Sequence, residues 1–419
     1  MSDKKPKLFI HGCYIGTTGF NNHTRDFFRE ISKSYKVKVR NFTVGKHWKG
    51  LEDEPFNKED YLLPSDKILL DTQTYFGENH SLHNFPIYKN HTNIFNHDLN
   101  IILAEVNHHF FYQDYEGPKI GYTVWETTRY PDYFFDKLKE YDQLWVPSEW
   151  QKQCNIEQGM SEDMIKVIPE AVDSKTFHPN PEANLPEYKD DRFKFIHFGR
   201  WDYRKSTKEI IEAFLEEFGE DEPIDLVLSI DNRFAKDGLK NTEKRLEHYG
   251  ISDPRLKVKH FPSREDYVQY LQKGHVFLSC ARSEGWNLPL IEAMACGTPS
   301  IYSNCSAQLQ FAKGKGLPVK ITGKKPAIMG EYSTYSQSDM TGEFYTPDYE
   351  DLKIVMRDAY ENYDKHKKQA LKESKEIRDK FTWERAAELA SIEIDNLYSN
   401  IPKNRVEISF NEGPKVQTY

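Results

Sequence analysis

The stretch from Val276 to Pro299 constrains the fold of this chain more than any other. Val276, Phe277 and Leu278 make an apolar run of strand length. Small and polar residues follow, and then Leu288, Ile291, Ala295 and Cys296 place apolar side chains at helical spacing. The pattern predicts a strand, a turn and a helix, with Pro289 at the first helical position, Gly297 at the stop and Pro299 just beyond. The turn carries Glu284, Gly285, Trp286 and Asn287. Backbone N–H groups at a helix N-terminus, beyond the carboxyl end of a strand, form an anion site. Glu284 and Glu292 flank that site, and carboxylates repel phosphates while accepting hydrogen bonds from hydroxyls. A ligand with both a diphosphate and many hydroxyls, such as a nucleotide sugar, uses both features. An ordinary strand–helix unit whose acids favour the helix dipole fits the spacing equally well.

The same alternation runs through the rest of the chain. Strand-like runs occur at Lys7 to Ile10, Val37 to Arg40, Lys67 to Leu70, Asn100 to Leu103, Lys119 to Val124 and Gln143 to Val146. Helical stretches fall at Phe20 to Ile31, Tyr133 to Tyr141 and Glu149 to Gln158, and the alternation implies a mostly parallel sheet covered by helices. Gly16 and Gly19, in the loop after the first run, allow close approach of backbone to a ligand, although their spacing is not a dinucleotide fingerprint. The polar, proline-rich passage around Phe177 to Glu182 marks a boundary between two domains. A second set begins with Phe193 to Phe198, turns through Gly199 to Ser206 and continues as a helix from Thr207 to Glu217. Strands at Asp225 to Ile230 and Leu256 to His260 and a helix from Arg264 to Lys273 lead into the Val276 unit. Long amphipathic helices are expected over Tyr349 to Lys380 and Trp383 to Tyr398. The expected organisation is residues 1–175, residues 176–382, a last helix at about 383–400 packing back on the first domain, and a polar tail at 401–419.

Composition removes several classes of function. A net charge of −9 over 419 residues argues against a general nucleic-acid coat, while leaving room for a local basic strip. Cys13, Cys154, Cys280, Cys296 and Cys305 are scattered, odd in number and without zinc spacing, which suits a reducing cytoplasm. No apolar run approaches the roughly 18 residues that a membrane span needs, and no signal peptide is expected. No Asp-x-Asp triplet that would hold a divalent ion on a diphosphate is present, so no metal and no cofactor is expected.

Two motifs together carry a resemblance. Phe198-Gly199-Arg200 with Arg204-Lys205, followed by Glu284 to Pro299 with its paired glutamates, resembles family 4 of the retaining glycosyltransferases. Lesser matches are the Gly16 to Gly19 loop, Trp145 to Ser148, Lys166 to Asp173, Phe177 to Pro179 and Phe381 to Trp383. The resemblance spans nearly the whole chain. It implies an α/β, GT-B architecture: two Rossmann-like domains with parallel sheets facing a central cleft. The implied reaction is metal-independent, retaining transfer of a sugar from a nucleotide diphosphate donor to an acceptor hydroxyl.

Carried over residue by residue, the resemblance implies that Arg200 and Lys205 neutralise the diphosphate. It places Glu284 near the transferred sugar and Glu292 at the ribose hydroxyls. Backbone around Gly285, Trp286, Asn287 and Leu288 meets the donor, and Gly16 and Gly19 close the pocket from the other domain. Trp125 and Glu126 stand where many members carry a histidine, so Glu126 is a candidate for orienting sugar or acceptor, against the plainer reading of a surface or helix-capping glutamate. Ser206 replaces the usual glycine after the lysine, and Trp286-Asn287 replaces a more common aromatic-glycine pair. His108 and His109 point to opposite faces of an extended segment and so do not converge easily on one metal. A nucleotide-sugar epimerase and a non-catalytic sugar-nucleotide-binding scaffold are the alternatives. The acceptor is unread in the sequence.

Overall fold

The computed structural model describes residues 5–13, 18–41, 98–106, 109, 117–183, 191–232, 235, 237–327 and 342–401. The expected strand at 67–70, the loops at 46–64 and 75–97, Gly16, His108 and the tail beyond 401 lie outside the described residues.

The first unit contains β1 (Lys7–Gly12), α1 (Gly19–Ile31), β2 (Lys36–Asn41), β3 (Leu99–Leu103), β4 (Lys119–Tyr122), α2 (Asp132–Leu138), β5 (Gln143–Val146), α3 (Glu149–Glu157) and β6 (Ile165–Val167). Among the described residues its six strands are all parallel, in the order β2-β1-β3-β4-β5-β6. Parallel sheets are covered on both faces, so their strands read as apolar runs. Leu8, Phe9, Ile10, Ile101, Ile102 and Leu103 are all buried accordingly.

The second unit repeats the plan. It has β7 (Phe193–Phe198), α4 (Thr207–Glu217), β8 (Ile224–Ser229), α5 (Thr242–His248), β9 (Leu256–Val258), α6 (Arg264–Lys273), β10 (Val276–Ser279), α7 (Leu288–Ala295), β11 (Ser300–Ser303), α8 (Leu309–Ala312) and β12 (Leu317–Val319). The parallel order is β12-β11-β10-β7-β8-β9. The chain therefore starts in the middle at β7, moves outward one way through β8 and β9, and crosses back to β10. In such a sheet the crevice for a ligand lies beyond the carboxyl ends of the two strands at that reversal. Here those strands are β7 and β10, whose loops carry the two motifs of the sequence.

Elements the periodicity did not separate are β13 (Ile321–Pro326) and β14 (Glu343–Pro347), an antiparallel ribbon outside both sheets. The expected helical stretch from Tyr349 to Lys380 divides at Asn362 into α9 (Tyr349–Glu361) and α10 (Tyr363–Lys380). The last helix, α11 (Trp383–Asn400), is capped by Thr382, whose hydroxyl accepts from Arg385 N at 3.1 Å. Its apolar stripe, Trp383, Ala386, Ala387, Ala390 and Ile394, packs into the core of the first unit with Phe27, Ile31 and Tyr35 of the α1 side. Full burial of each large apolar side chain in that stripe stabilises the contact by about 1.5–3 kcal/mol. Asp395 adds polar ties to Tyr35 Oη at 2.9 Å and Lys5 Nζ at 2.6 Å.

Candidate functional site

The strand–turn–helix around Val276 forms as its pattern predicts, with two adjustments. Strand β10 runs one residue further, to Ser279, and α7 starts at Leu288, which puts Pro289 second in the helix rather than first. The missing N–H is equally harmless there, because the first turn has no intrahelical acceptor. Asn287 caps the helix in the left-handed region, at φ 88°. Asparagine tolerates that conformation better than most residues. Its amide nitrogen holds the strained turn, donating to Ser279 Oγ and to Gln308 Oε1, both at 2.8 Å. Trp286, expected to meet a donor, has its indole packed in the core, with ring centroids 5.1 Å from Phe311 and 6.0 Å from Phe381. Residue 286 can therefore reach a ligand only through its backbone. Gln308 and Ser306 were not read from the sequence. Ser306 Oγ accepts from Glu284 N at 3.0 Å, a contact no local pattern signals.

Glu284 and the loop after β7 form one charged cluster. Lys205 Nζ is 2.5 Å from Glu284 Oε1, and Arg204 Nη1 is 2.8 Å from Glu284 Oε2. Arg204 also donates to Ser283 O at 2.8 Å, and its Nη2 lies 2.8 Å from Glu126 Oε1 of the first unit. Burial works against ionisation of Glu284, but Arg204 and Lys205 outweigh it and hold the carboxyl below its usual range. Burial lowers the Lys205 ammonium, with Glu284 offsetting part of the effect. Glu126 is pushed up by burial, with Arg204 opposing. Arg200 differs from both neighbours: its side chain is 37% exposed, with Asp202 3.9 Å away. Ser206, the replacement for glycine, adopts φ 53° directly before α4, and its hydroxyl accepts from Tyr349 Oη at 2.9 Å.

Glu292 lies within α7, 6% exposed, and accepts from Tyr267 Oη at 2.6 Å. Burial pushes its pKa up to about 7. A third acid joins the two that the spacing identified. Glu170, in the passage after β6, is buried, with His23 Nδ1 3.6 Å from its carboxylate. Burial holds the His23 pKa down to about 3, so that imidazole is neutral and offers Glu170 no counter-charge. Burial first, and then repulsion from Glu292 and Glu284, raises the Glu170 pKa to about 8.

The first unit supplies the facing wall. Strand β4 stops at Tyr122, short of the expected Val124, and the chain turns into the loop bearing Trp125 and Glu126. Trp125 Nε1 donates to Thr127 Oγ1 at 2.7 Å and Arg129 O at 2.9 Å, and Trp125 N donates to Gln151 Oε1 at 3.2 Å. That network fixes Glu126. Gly19 begins α1 behind a Thr18–Asn21 capping box, and a Cβ there would sit 3.5 Å from Leu288 Cδ1. The N-termini of α1 and α7 therefore face one another, and both favour an anion between them. At Gly285 a Cβ would come within 2.3 Å of Val124 Cγ1 and 2.9 Å of Trp125 O, so only glycine allows the two walls to meet as they do. Further cross-unit ties are Arg264 to Asp26 at 3.6 Å, Trp150 Nε1 to Tyr345 Oη at 2.9 Å and Glu343 N to Thr128 Oγ1 at 2.9 Å.

Among the described residues, the group with the spacing of metal ligands is Asp231, Glu243 and His260, all exposed. Both imidazole nitrogens already lie against a carboxylate, at 3.2 Å and 3.1 Å. His109 is buried, with Nδ1 2.8 Å from Tyr141 Oη and Nε2 3.2 Å from Ala104 O, a structural role. Among the described residues no helix is long and apolar enough to cross a membrane.

Residues 183–315 match the model of the family described as "Glycosyl transferases group 1". A protein of Acidianus filamentous virus 1 named "Putative glycosyltransferase ORF313" is 27% identical over 115 residues, which cover 25% of this chain and 37% of the viral protein. The chain thus spans only 24–37% of the length of the curated relatives it matches. Over the whole chain the likeness is one of structure. The Anabaena protein Alr3699/HepE in complex with UDP and glucose superposes with a TM-score of 0.64 at 15% identity, covering 93% of this chain and all of that one. An E. coli trehalose-6-phosphate protein bound with UDP-2-fluoro glucose gives 0.64 at 14% identity, covering 95% and 100%. The fold is GT-B.

Proposed function

We propose that the chain is a glycosyltransferase that moves a sugar from a nucleotide diphosphate donor to an acceptor hydroxyl, with retention at the anomeric carbon and without a metal ion. One observation carries the reading: the loops at the strand reversal of the second unit bring Lys205 and Glu284 into contact before the α7 N-terminus, with Arg200 on the same loop as Lys205 and Glu292 within α7. Cations and helix dipoles suit a diphosphate, and the carboxylates suit sugar and ribose hydroxyls. The matched family segment contains all four residues. The structural neighbours described with UDP, glucose and a UDP-fluoroglucose make a UDP-hexose the first donor to try.

In this reading Arg200, the exposed cation, and the remaining protons of Lys205 meet the diphosphate. They stabilise the charge that grows on it as the bond from the anomeric carbon to phosphate oxygen breaks. Loss of one such contact costs about 3–4 kcal/mol of transition-state stabilisation. The acceptor oxygen bonds to the anomeric carbon from the same face, and its proton passes to the departing phosphate oxygen, so no protein nucleophile is required. Glu292 takes the ribose hydroxyls, Glu284 the sugar, and Glu126 orients sugar or acceptor from the opposite wall. Five free, buried cysteines suit a reducing cytoplasm as the place of action.

The test is a panel of nucleotide sugars, first by thermal shift and then by turnover. Binding stabilises the protein by about 2.7 kcal/mol at a hundredfold excess over the dissociation constant. Unchanged turnover in Lys205→Ala or Glu292→Ala would show the pocket to be misassigned. A product of inverted configuration would end the retaining reading, and activity lost to EDTA and restored by manganese would end the metal-free one.

A further inference from the structure

We propose that Arg204 is a positioning residue that ties Glu126 of the first unit to Glu284 of the second, making the carboxylate at the donor sugar depend on closure of the cleft. This rests on the donor-site reading above and gives a role to Arg204, which stands in the first motif but to which the resemblance assigns none.

The loop between β7 and α4 carries three cations in different situations. Arg200 is over a third exposed, and Lys205 spends one contact on Glu284. Arg204 is 5% exposed and turned inward, with Nη1 on Glu284 Oε2 and Ser283 O and Nη2 on Glu126 Oε1, each at 2.8 Å. A planar fork of fixed geometry can hold two carboxylates at once, which an ammonium point charge cannot do with the same precision. The four groups Glu126, Arg204, Glu284 and Lys205 balance as two anions and two cations. Withdrawing Glu126 leaves two buried cations on one carboxylate, and an uncompensated buried charge is strongly unfavourable.

Each end of the bridge is fixed to its own sheet. Arg204 N donates to Asp202 Oδ1 at 2.8 Å, and its carbonyl accepts from Arg282 N at 2.7 Å. Glu126 sits in the loop pinned by Trp125 and Gln151. A 2.8 Å contact between two such anchored groups exists at one setting of the two units only. Closing the cleft gives Arg204 its second carboxylate, and opening it leaves Glu284 shared between two cations, with Arg204 keeping only the Ser283 carbonyl and the nearby Asp202 in its own unit.

Four variants of the full chain test this: Glu126→Gln, Arg204→Met, Arg204→Lys and the double Glu126→Gln/Arg204→Met. Because the five native cysteines are buried, spin labels can be placed at Asp136→Cys and Glu247→Cys, exposed positions on the two units. Label distances read the cleft directly, UDP is the binding probe, and UDP-glucose is the turnover probe. The expected result is a broader distance distribution in Glu126→Gln and Arg204→Met alike, no further change in the double variant, and partial recovery in Arg204→Lys. Turnover of UDP-glucose should fall at least tenfold in each single variant, with UDP affinity within threefold of the parent and the double no worse than the poorer single. Unchanged distances, losses that multiply in the double variant, or UDP affinity falling in step with turnover would each overturn the proposal. If the parent turns over no UDP-glucose, that counts against the donor reading, and the distances still decide the role of Arg204. Glu126→Gln removes only a charge from a one-third-exposed side chain, so a folding failure of the arginine variants leaves the test intact.

Discussion

Lys205 Nζ and Glu284 Oε1 lie 2.5 Å apart, so the base expected at a diphosphate and the acid expected at a sugar are partners of each other. With Arg204 on its other oxygen, Glu284 is an ionised carboxylate held between two cations inside the protein. The pair is a single device. Changing either member alters the charge presented to a donor and the stability of the loop that presents it.

Glu284→Gln should therefore be costly twice. Removing one member of a buried ion pair destabilises by about 3–5 kcal/mol, and retention of the amide's shape favours the lower end. At about 2–4 °C per kcal/mol for a domain of this size, calorimetry should record a fall of several degrees. The Glu284 pKa is depressed in the folded state, so its contribution to stability is present above the unfolded value and is lost as pH falls through the folded one. The deficit of the variant should shrink in acid. A deficit that stays constant down to pH 3 would contradict the ion-pair account.

Glu292→Ala should weaken UDP binding tenfold or more, since a hydrogen bond to a charged group contributes about 1.5–3 kcal/mol. Tyr267→Phe removes only the phenol that holds the carboxylate at 2.6 Å and should have a smaller effect in the same direction. Titration calorimetry with UDP separates the two, and equal affinities in parent and Glu292→Ala would take Glu292 out of the nucleotide site.

Glu170 should make the protein more stable when it is neutralised. Its folded pKa, about 8, lies above the unfolded value, so the folded state binds the extra proton, and stability from this group falls as pH rises towards 8. Glu170→Gln should melt a few degrees above the parent at pH 8.5, with the advantage fading towards pH 5. Melting curves at matched pH cancel the opposite contribution of His23, whose pKa is lowered by burial. A variant that melts below the parent at pH 8.5 would mean that Glu170 has a counter-charge after all.

Gly285→Ala should separate binding from turnover. The added methyl would collide first with Val124 and Trp125 of the facing unit, at 2.3 Å and 2.9 Å, so the strain falls where the two walls meet. UDP affinity should change less than threefold, and UDP-glucose turnover should fall at least tenfold. Turnover equal to that of the parent would show that the walls need not meet at this point.

The repeated parallel units were legible because burial on both faces of a parallel sheet leaves a local record, a run of apolar residues between helical stretches. Helix α4 falls over Thr207 to Glu217 as its spacing predicts, and β7 over Phe193 to Phe198 likewise. The paired acids and the cations after β7 were legible as residue types at fixed spacing. Less was legible where a neighbour decides the outcome. Trp286 has the composition of a pocket residue, but Phe311 and Phe381 give it a place in the core. Strand β4 ends two residues early because its continuation carries Glu126 to the opposite unit. The ribbon of β13 and β14 has mostly exposed first-strand residues and no periodic signature.

The sequence by itself determined the two-unit α/β plan and which side chains could meet a diphosphate and hydroxyls, since both follow from local periodicity and residue chemistry. Only the tertiary structure decided how those charges are shared. Glu126 and Arg204 are 78 positions apart in number yet 2.8 Å apart in space, and Glu170 is pushed up by Glu292 and Glu284 as well as by its burial. Electrostatic energy depends on distance and burial. Neither quantity is written in the spacing of residues along the chain; both are set when the two sheets pack with their carboxyl edges facing each other.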